Sequence, residues 1–350
     1  MHICFLTHEY PKDSFTHGGV GTFVRTLSKR LVKHGIDVTV VGVNYTNNLE
    51  IENDEGVVIY RIPFRKVRGL TWLISSGSVN KILRRIHKKK PFDIIEATEL
   101  GLAFISKIKG IKYIIRLHGG HHFFAEAENR GINHWKGFQE KISFKKADKI
   151  IGVSNYVLDA TSKYIKFDNK RGPSIYNPVD LRRFYSADPQ KEIRGRIFFA
   201  GTVCEKKGVR QLIMALPLIR KEIPEAHLVI AGRDWKFPDG SSYTAWVQQF
   251  IDVSVRGSIT FLGPVEHDKI PGMIESSEVC VYPSHMEAMP LSWLEVLAMG
   301  KAFIGSKLGP GPEVIRDGVT GLLCNPLDPK DIAEKTLQIL KNPALKFKLG

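Results

Sequence analysis

"RIFFAGTVCEKKGVRQLIMAL", residues 196–216, decides the fold. A short apolar run ends at Gly201, a loop holding Lys206 and Lys207 closes at Gly208, and Val209, Leu212, Ile213 and Leu216 open an amphipathic helix. Such a run, glycine loop and helix form the building unit of a parallel sheet with helices on both faces. The alternation recurs along the chain. "ICFL", "VTVVGV", "VVIYRI", "FDIIEA", "YIIRLH" and "KIIGVS" precede residue 155, and "HLVIAG", "ITFLG", "EVCVYPS", "AFIGS" and "GLLC" follow the quoted strand. The polar gap at 176–195, "YNPVDLRRFYSADPQKEIRG", contains two prolines and reads as a linker. The expected fold is α/β, with two doubly wound Rossmann-like domains, 1–185 and 186–350, facing each other across a cleft. Ligands belong beyond the carboxyl ends of such strands.

The chain has 350 residues, of which 43% are hydrophobic and 25% charged, a globular composition. No run of eighteen apolar residues is present, so no spanning helix is expected. "MHICFLTHEY" enters an apolar strand without a basic leader, which argues against a secretory signal. Cys4, Cys204, Cys280 and Cys324 are far apart and in no metal-ligand spacing, and three of them sit in apolar strand-like runs, as expected of reduced core residues in a cytoplasmic protein. Lysine and arginine exceed acids by 51 to 36, giving +15, which favours anionic partners such as nucleotides or an anionic membrane surface. In "KILRRIHKKK", residues 81–90, Ile82, Leu83 and Ile86 form an apolar stripe beside six cations. That cluster suits either a helix lying on a membrane or the solvated face of a domain helix. No nucleic-acid motif accompanies the charge, so nucleic acid is not expected.

Three glycines, Gly18, Gly19 and Gly21, start the helix after the first strand and suit the approach of an anion. Their spacing is not that of a nicotinamide fingerprint. "RLHGGHH" brings His118, His121 and His122 to a strand end without carboxylates in a familiar metal spacing, so a metal is not expected. His118 is placed there to hydrogen-bond a ligand or to hold a turn. Phe123, Phe124, Trp135 and Phe138 suit either a core or a platform for a sugar ring.

"HMEAMPLSWLEVLAMG", residues 285–300, puts two glutamates in an otherwise apolar stretch. Pro290 as first helical residue and Gly300 as stop predict a short buried helix over 291–299, with Glu287 just ahead of it. By itself this pattern makes Glu287 a capping acid and Glu295 a side chain reaching solvent at one edge.

Together these segments resemble the retaining glycosyltransferases of the GT-B fold, family 4, also described as glycosyl transferases group 1. The resemblance spans nearly the whole chain and is most diagnostic over "SHMEAMPLSWLEVLAMGKAFIGSKLGPGPEVIRDGVTGLL". It implies that Glu287 sits against the donor sugar and that Glu295 accepts hydrogen bonds from the nucleotide ribose, so that each finds its partner only when donor is bound. It implies that the amides of Ala288, Met289 and Leu291 meet the sugar or diphosphate, and that Lys207 neutralises the diphosphate. Gly19 would approach that group from the other domain, His118 would bond the donor sugar, and Val265 would present its backbone to the base. Catalytic weight falls on Glu287, His118 and Lys207.

Three departures stand out. Thr202 occupies the position where the family carries arginine, leaving a phosphate contact to Lys206 or another base. Pro290 stands where many members have glycine and removes one donor. The chain stops at "KNPALKFKLG", where members continue into a further helical segment. The implied reaction is metal-independent transfer from a UDP- or GDP-sugar to a glycan or lipid-linked glycan in cell-surface polysaccharide synthesis, without a cofactor. The expected place is the cytoplasm or the inner membrane face. A nucleotide-sugar epimerase or hydrolase, and a non-catalytic nucleotide-sugar binding protein, are the alternatives.

Overall fold

A computed structural model describes residues 1–12, 18–44, 46–127 and 131–350. The chain divides into two compact units, Met1–Pro178 and Val179–Gly350. The division falls seven residues before the expected domain boundary at 185. Residues just after it pack with the second unit: Phe184 is buried in that unit's core.

Among the described residues the first unit carries eight strands: β1 (His2–Leu6), β2 (Asp37–Asn44), β3 (Glu50–Asp54), β4 (Val57–Pro63), β5 (Ile94–Ala97), β6 (Lys112–Leu117), β7 (Lys149–Gly152) and β8 (Arg171–Ser174). They lie in the order β3-β4-β2-β1-β5-β6-β7-β8. The second carries β9 (Arg196–Ala200), β10 (His227–Ala231), β11 (Ile259–Gly263), β12 (Val279–Tyr282), β13 (Phe303–Ser306) and β14 (Leu322–Cys324), ordered β11-β10-β9-β12-β13-β14. All pairings are parallel except β3 with β4. Ile197, Phe198 and Phe199 of β9 are fully buried, which is why the run is apolar without alternation.

Six strands were expected in the first half, and two more are present. β3, "EIEND", is a polar edge strand closed onto β4 by a tight turn in which Glu55 has φ 51° and Gly56 φ 92°. β8, "RGPS", is an edge strand as well, the place where a proline is tolerated. All six strands of the second half lie where the apolar runs put them. The four cysteines are free and buried.

Candidate functional site

In the second sheet the chain passes from β9 outward to β10 and β11, then returns to β12 and leaves by the other side. The loops leaving β9 and β12 therefore flank a point where strand order reverses, and such a point opens a crevice at the carboxyl ends. The loop after β9 makes one helical turn at Glu205–Lys207. Glu205 fixes it by accepting from Arg210 Nη2 at 2.7 Å, Gln211 Nε2 at 2.9 Å and Tyr243 OH at 2.7 Å. Burial works to raise the Glu205 carboxyl, but these donors prevail and bring it down to about 2. Gly208 ends the turn at φ 71°, and a Cβ there would lie 1.9 Å from the Pro283 carbonyl oxygen. Only glycine allows the two loops to approach so closely. The His285 amide donates to the Lys206 carbonyl at 2.8 Å and completes the tie.

This approach brings Lys207 Nζ into contact with Glu287 Oε1. Glu287 is 8% exposed, with Ala288 and Met289 buried beside it. The helix Leu291–Ala298 follows, and Pro290 serves as its cap in an extended conformation instead of as its first residue. Glu295 lies on that helix and is buried, not directed to solvent at an edge as the apolar pattern suggested. It bonds His267 Nε2 at 3.0 Å. Arg183 Nη1 lies 2.6 Å from His267 Nδ1 and its Nη2 lies 2.8 Å from Asp268. A guanidinium can only donate, so Nδ1 is the acceptor and Nε2 carries the proton given to Glu295. Both glutamates thus have protein partners, which corrects the expectation that each is paired only with donor bound. A buried carboxylate cannot wait unpaired at an acceptable energy.

His267 was not among the expected site residues. It stands two residues beyond Val265, itself partly buried after β11, and so ties the end of that strand to Glu295. Its one sequence signal is an imidazole in the loop that leaves a strand's carboxyl end, here β11, which ends at Gly263. Thr202 leaves the carboxyl end of β9, and Arg233 Nε lies 3.4 Å from its hydroxyl. A guanidinium thus stands beside the position where the family's arginine was expected.

In the first unit Gly19 starts the helix Gly19–Lys33 at the carboxyl end of β1, where a Cβ on it would meet nothing within 4 Å. Gly18 is its cap, and its amide donates to Glu9 at 3.0 Å. The part of the glycine loop at 13–17 lies outside the described residues. His118 follows β6 and packs edge-on to Phe23 of that helix, with ring centroids 4.8 Å apart, so Gly19 and His118 share one end of the sheet. Burial, with a contribution from Arg116, pushes the His118 ring down to about 3 and keeps it neutral. Its amide donates to Glu99 Oε1 at 2.6 Å. His121 and His122 serve the turn: both amides donate to buried Glu140, and the His122 ring contacts it. Among the described residues no group of three or more His, Cys, Asp or Glu is arranged to hold a metal ion.

The aromatic residues divide. Phe123 is core at 0% exposed, whereas Trp135 and Phe138 are exposed at 46% and 52%. In the helix Thr71–Lys89 the stripe Ile82, Leu83 and Ile86 is buried in the unit, so it is not a membrane face.

Comparison with known proteins agrees with this architecture. Residues 17–183 match the family model described as Glycosyltransferase Family 4, and residues 194–342 match the one described as Glycosyl transferases group 1. An uncharacterized glycosyltransferase of Methanocaldococcus jannaschii is 26% identical over 340 residues, covering 95% of this chain and 88% of that protein. Sucrose-phosphate synthase from Thermosynechococcus elongatus superposes with a TM-score of 0.82 at 19% identity, covering 99% of this chain and 92% of that one. Anabaena HepE in complex with UDP-glucose does so at 0.78 and 17%, covering 100% and 92%. With both units matched in sequence and the architecture in structure, the chain belongs to the group 1, family 4 glycosyltransferases of GT-B fold.

Proposed function

We propose that the chain transfers a sugar from a UDP- or GDP-sugar to a hydroxyl of a glycan or lipid-linked glycan, with retention at the anomeric carbon. One observation carries this reading: Lys207 and Glu287 meet where the loops leaving β9 and β12 converge, with Glu295 held by His267 on the helix that follows. Binding of UDP-glucose by HepE supports a UDP-sugar as the donor to test first.

In this reading Glu295 accepts the ribose hydroxyls and the backbone at Val265 meets the base. The diphosphate lies near Lys207, with Arg233 beside Thr202 supplying further positive charge. The amides of Ala288, Met289 and Leu291 face the sugar or diphosphate, while Gly19 and His118 serve the donor from the first unit. Neutral His118 can donate or accept a hydrogen bond to a sugar hydroxyl without adding charge. As the bond from the anomeric carbon to the phosphate oxygen breaks, negative charge grows on the diphosphate. Lys207 and the amides stabilise it, so a metal is not required. The acceptor oxygen bonds to the same face of the anomeric carbon, and its proton passes to the departing phosphate oxygen. Glu287 positions the sugar and does not attack it. We place the reaction in the cytoplasm, in the building of cell-surface polysaccharide.

The test is a panel of UDP-, GDP- and ADP-sugars in a thermal shift assay, followed by product analysis with candidate glycan acceptors. A shift with one UDP- or GDP-sugar, lost in Glu295→Ala, and a product of retained configuration are expected. Release of free sugar that no acceptor diverts would replace transfer with hydrolysis.

A further inference from the structure

The first unit carries an exposed aromatic cluster that the transfer reaction leaves unused. Trp72, at the start of the helix Thr71–Lys89, lies 4.5 Å from the Phe104 ring and 5.8 Å from that of Trp135. Phe104 and Trp135 stack at 5.8 Å and 23°, and Trp135 continues onto Phe138 at 5.9 Å and 27°. Beside this stack Leu70 and Leu73 are each 51% exposed. Single exposed apolar residues are ordinary, but a contiguous group containing two tryptophans marks an interaction surface.

Charge identifies the occupant. Between Gly56 and Phe92 the sequence has no aspartate or glutamate and ten lysines and arginines. Arg65, Lys66 and Arg68 are exposed and directly precede Leu70 and Trp72, and Lys136 is exposed between Trp135 and Phe138. Cations around indole rings suit the boundary between anionic headgroups and acyl chains, where a tryptophan buries its ring and keeps its N–H wet. A neutral glycan would use the rings but gain nothing from the cations. Among the described residues no helix is long and apolar enough to cross a membrane, so contact would be shallow.

We propose that Trp72, Phe104, Trp135 and Phe138, with Arg65, Lys66 and Arg68, form a docking surface for an anionic lipid bilayer. This surface replaces the stripe Ile82, Leu83 and Ile86, which the core has taken. It contains none of the residues assigned to the donor, so failure of the transfer reading and failure of the docking reading are separate results.

The test is cosedimentation of the full chain with vesicles of phosphatidylcholine alone and of phosphatidylcholine mixed with phosphatidylglycerol. Binding to the mixed vesicles, weakened by added salt, is expected, with tryptophan quenching by bromine placed on the acyl chains. Trp72→Ala with Trp135→Ala abolishes the quenching. Arg65→Glu with Arg68→Glu touches no core residue, and the loss for each removed cation is roughly fivefold. Equal partition onto both vesicles, or quenching unchanged in the tryptophan variant, overturns the proposal. So does protection of these tryptophans by a soluble glycan or by self-association, with no vesicle binding.

Discussion

Lys207 Nζ contacts Glu287 Oε1 across 80 residues of chain, and both side chains are largely shielded from water. Lys207→Met leaves a carboxylate buried without its cation, at a cost of about 3 kcal/mol to the second unit. Adding Glu287→Gln removes the stranded charge and recovers much of that stability without recovering transfer. Denaturant unfolding of the single and double variants, set beside initial rates, separates the two effects. Equal stability of single and double variants would show that the pair is not structurally coupled.

The proton on His267 Nε2 orients Glu295 and bonds no substrate in the proposed site. His267→Ala therefore raises the donor KM roughly tenfold, the worth of one hydrogen bond to a charged group, with kcat changed little. His267→Gln keeps a donor on that side chain and restores part of the loss. A fall in kcat at unchanged KM would place the imidazole nearer the chemistry.

Glu99 gives the first unit a pH dependence. Burial foremost, and then the Glu140 charge, raise its carboxyl to about 8. A folded-state value above the unfolded one means that the native unit holds the proton more tightly. The resulting stability is complete below about pH 4.5 and declines as pH rises towards 8. Glu99→Gln fixes the neutral form, flattening that decline and making the variant the more stable protein at pH 8–9 by roughly 1–3 kcal/mol. Melting temperatures from pH 5 to 9 check this.

Gly208→Ala combines a positive φ with a Cβ 1.9 Å from backbone, so it costs at least about 2 kcal/mol and separates the Lys207 loop from Pro283. Gly257→Ala, where a Cβ would meet nothing within 4 Å, serves as the neutral control. Comparison of their melting temperatures and rates tests whether the close approach of the loops is needed.

In the second half β9, β10, β12 and β13 were legible because they are buried strands and must be apolar, while the edge strand β11 was legible because its run "ITFLG" is apolar although none of it is fully buried. β3 and β8 were not, since an edge strand can be polar or contain proline when pairing alone places it. In the site, the glycine loops and the glutamate pair were visible in composition and spacing. Their partners were not. Lys207 meets Glu287 through a turn anchored by Glu205, and His267 reaches Glu295 from another strand end. Such pairings depend on strand order, which the alternation of runs leaves undetermined. The aromatic residues divided for a similar reason: "HHFF" reads alike whether a ring faces inward, as Phe123 does, or outward as Trp135 does farther on.

The four buried thiols make the protein its own reporter of opening. Burial pushes all of them up, Cys280 and Cys324 to about 12, so none reacts readily while the fold is closed. Cys4 is the lone thiol of the first unit, and the other three belong to the second. A pulse of alkylating reagent followed by peptide mass analysis would therefore time the opening of each unit separately, within one unmodified chain. The same chemical silence of the surface would let a single introduced cysteine carry a dye against almost no background.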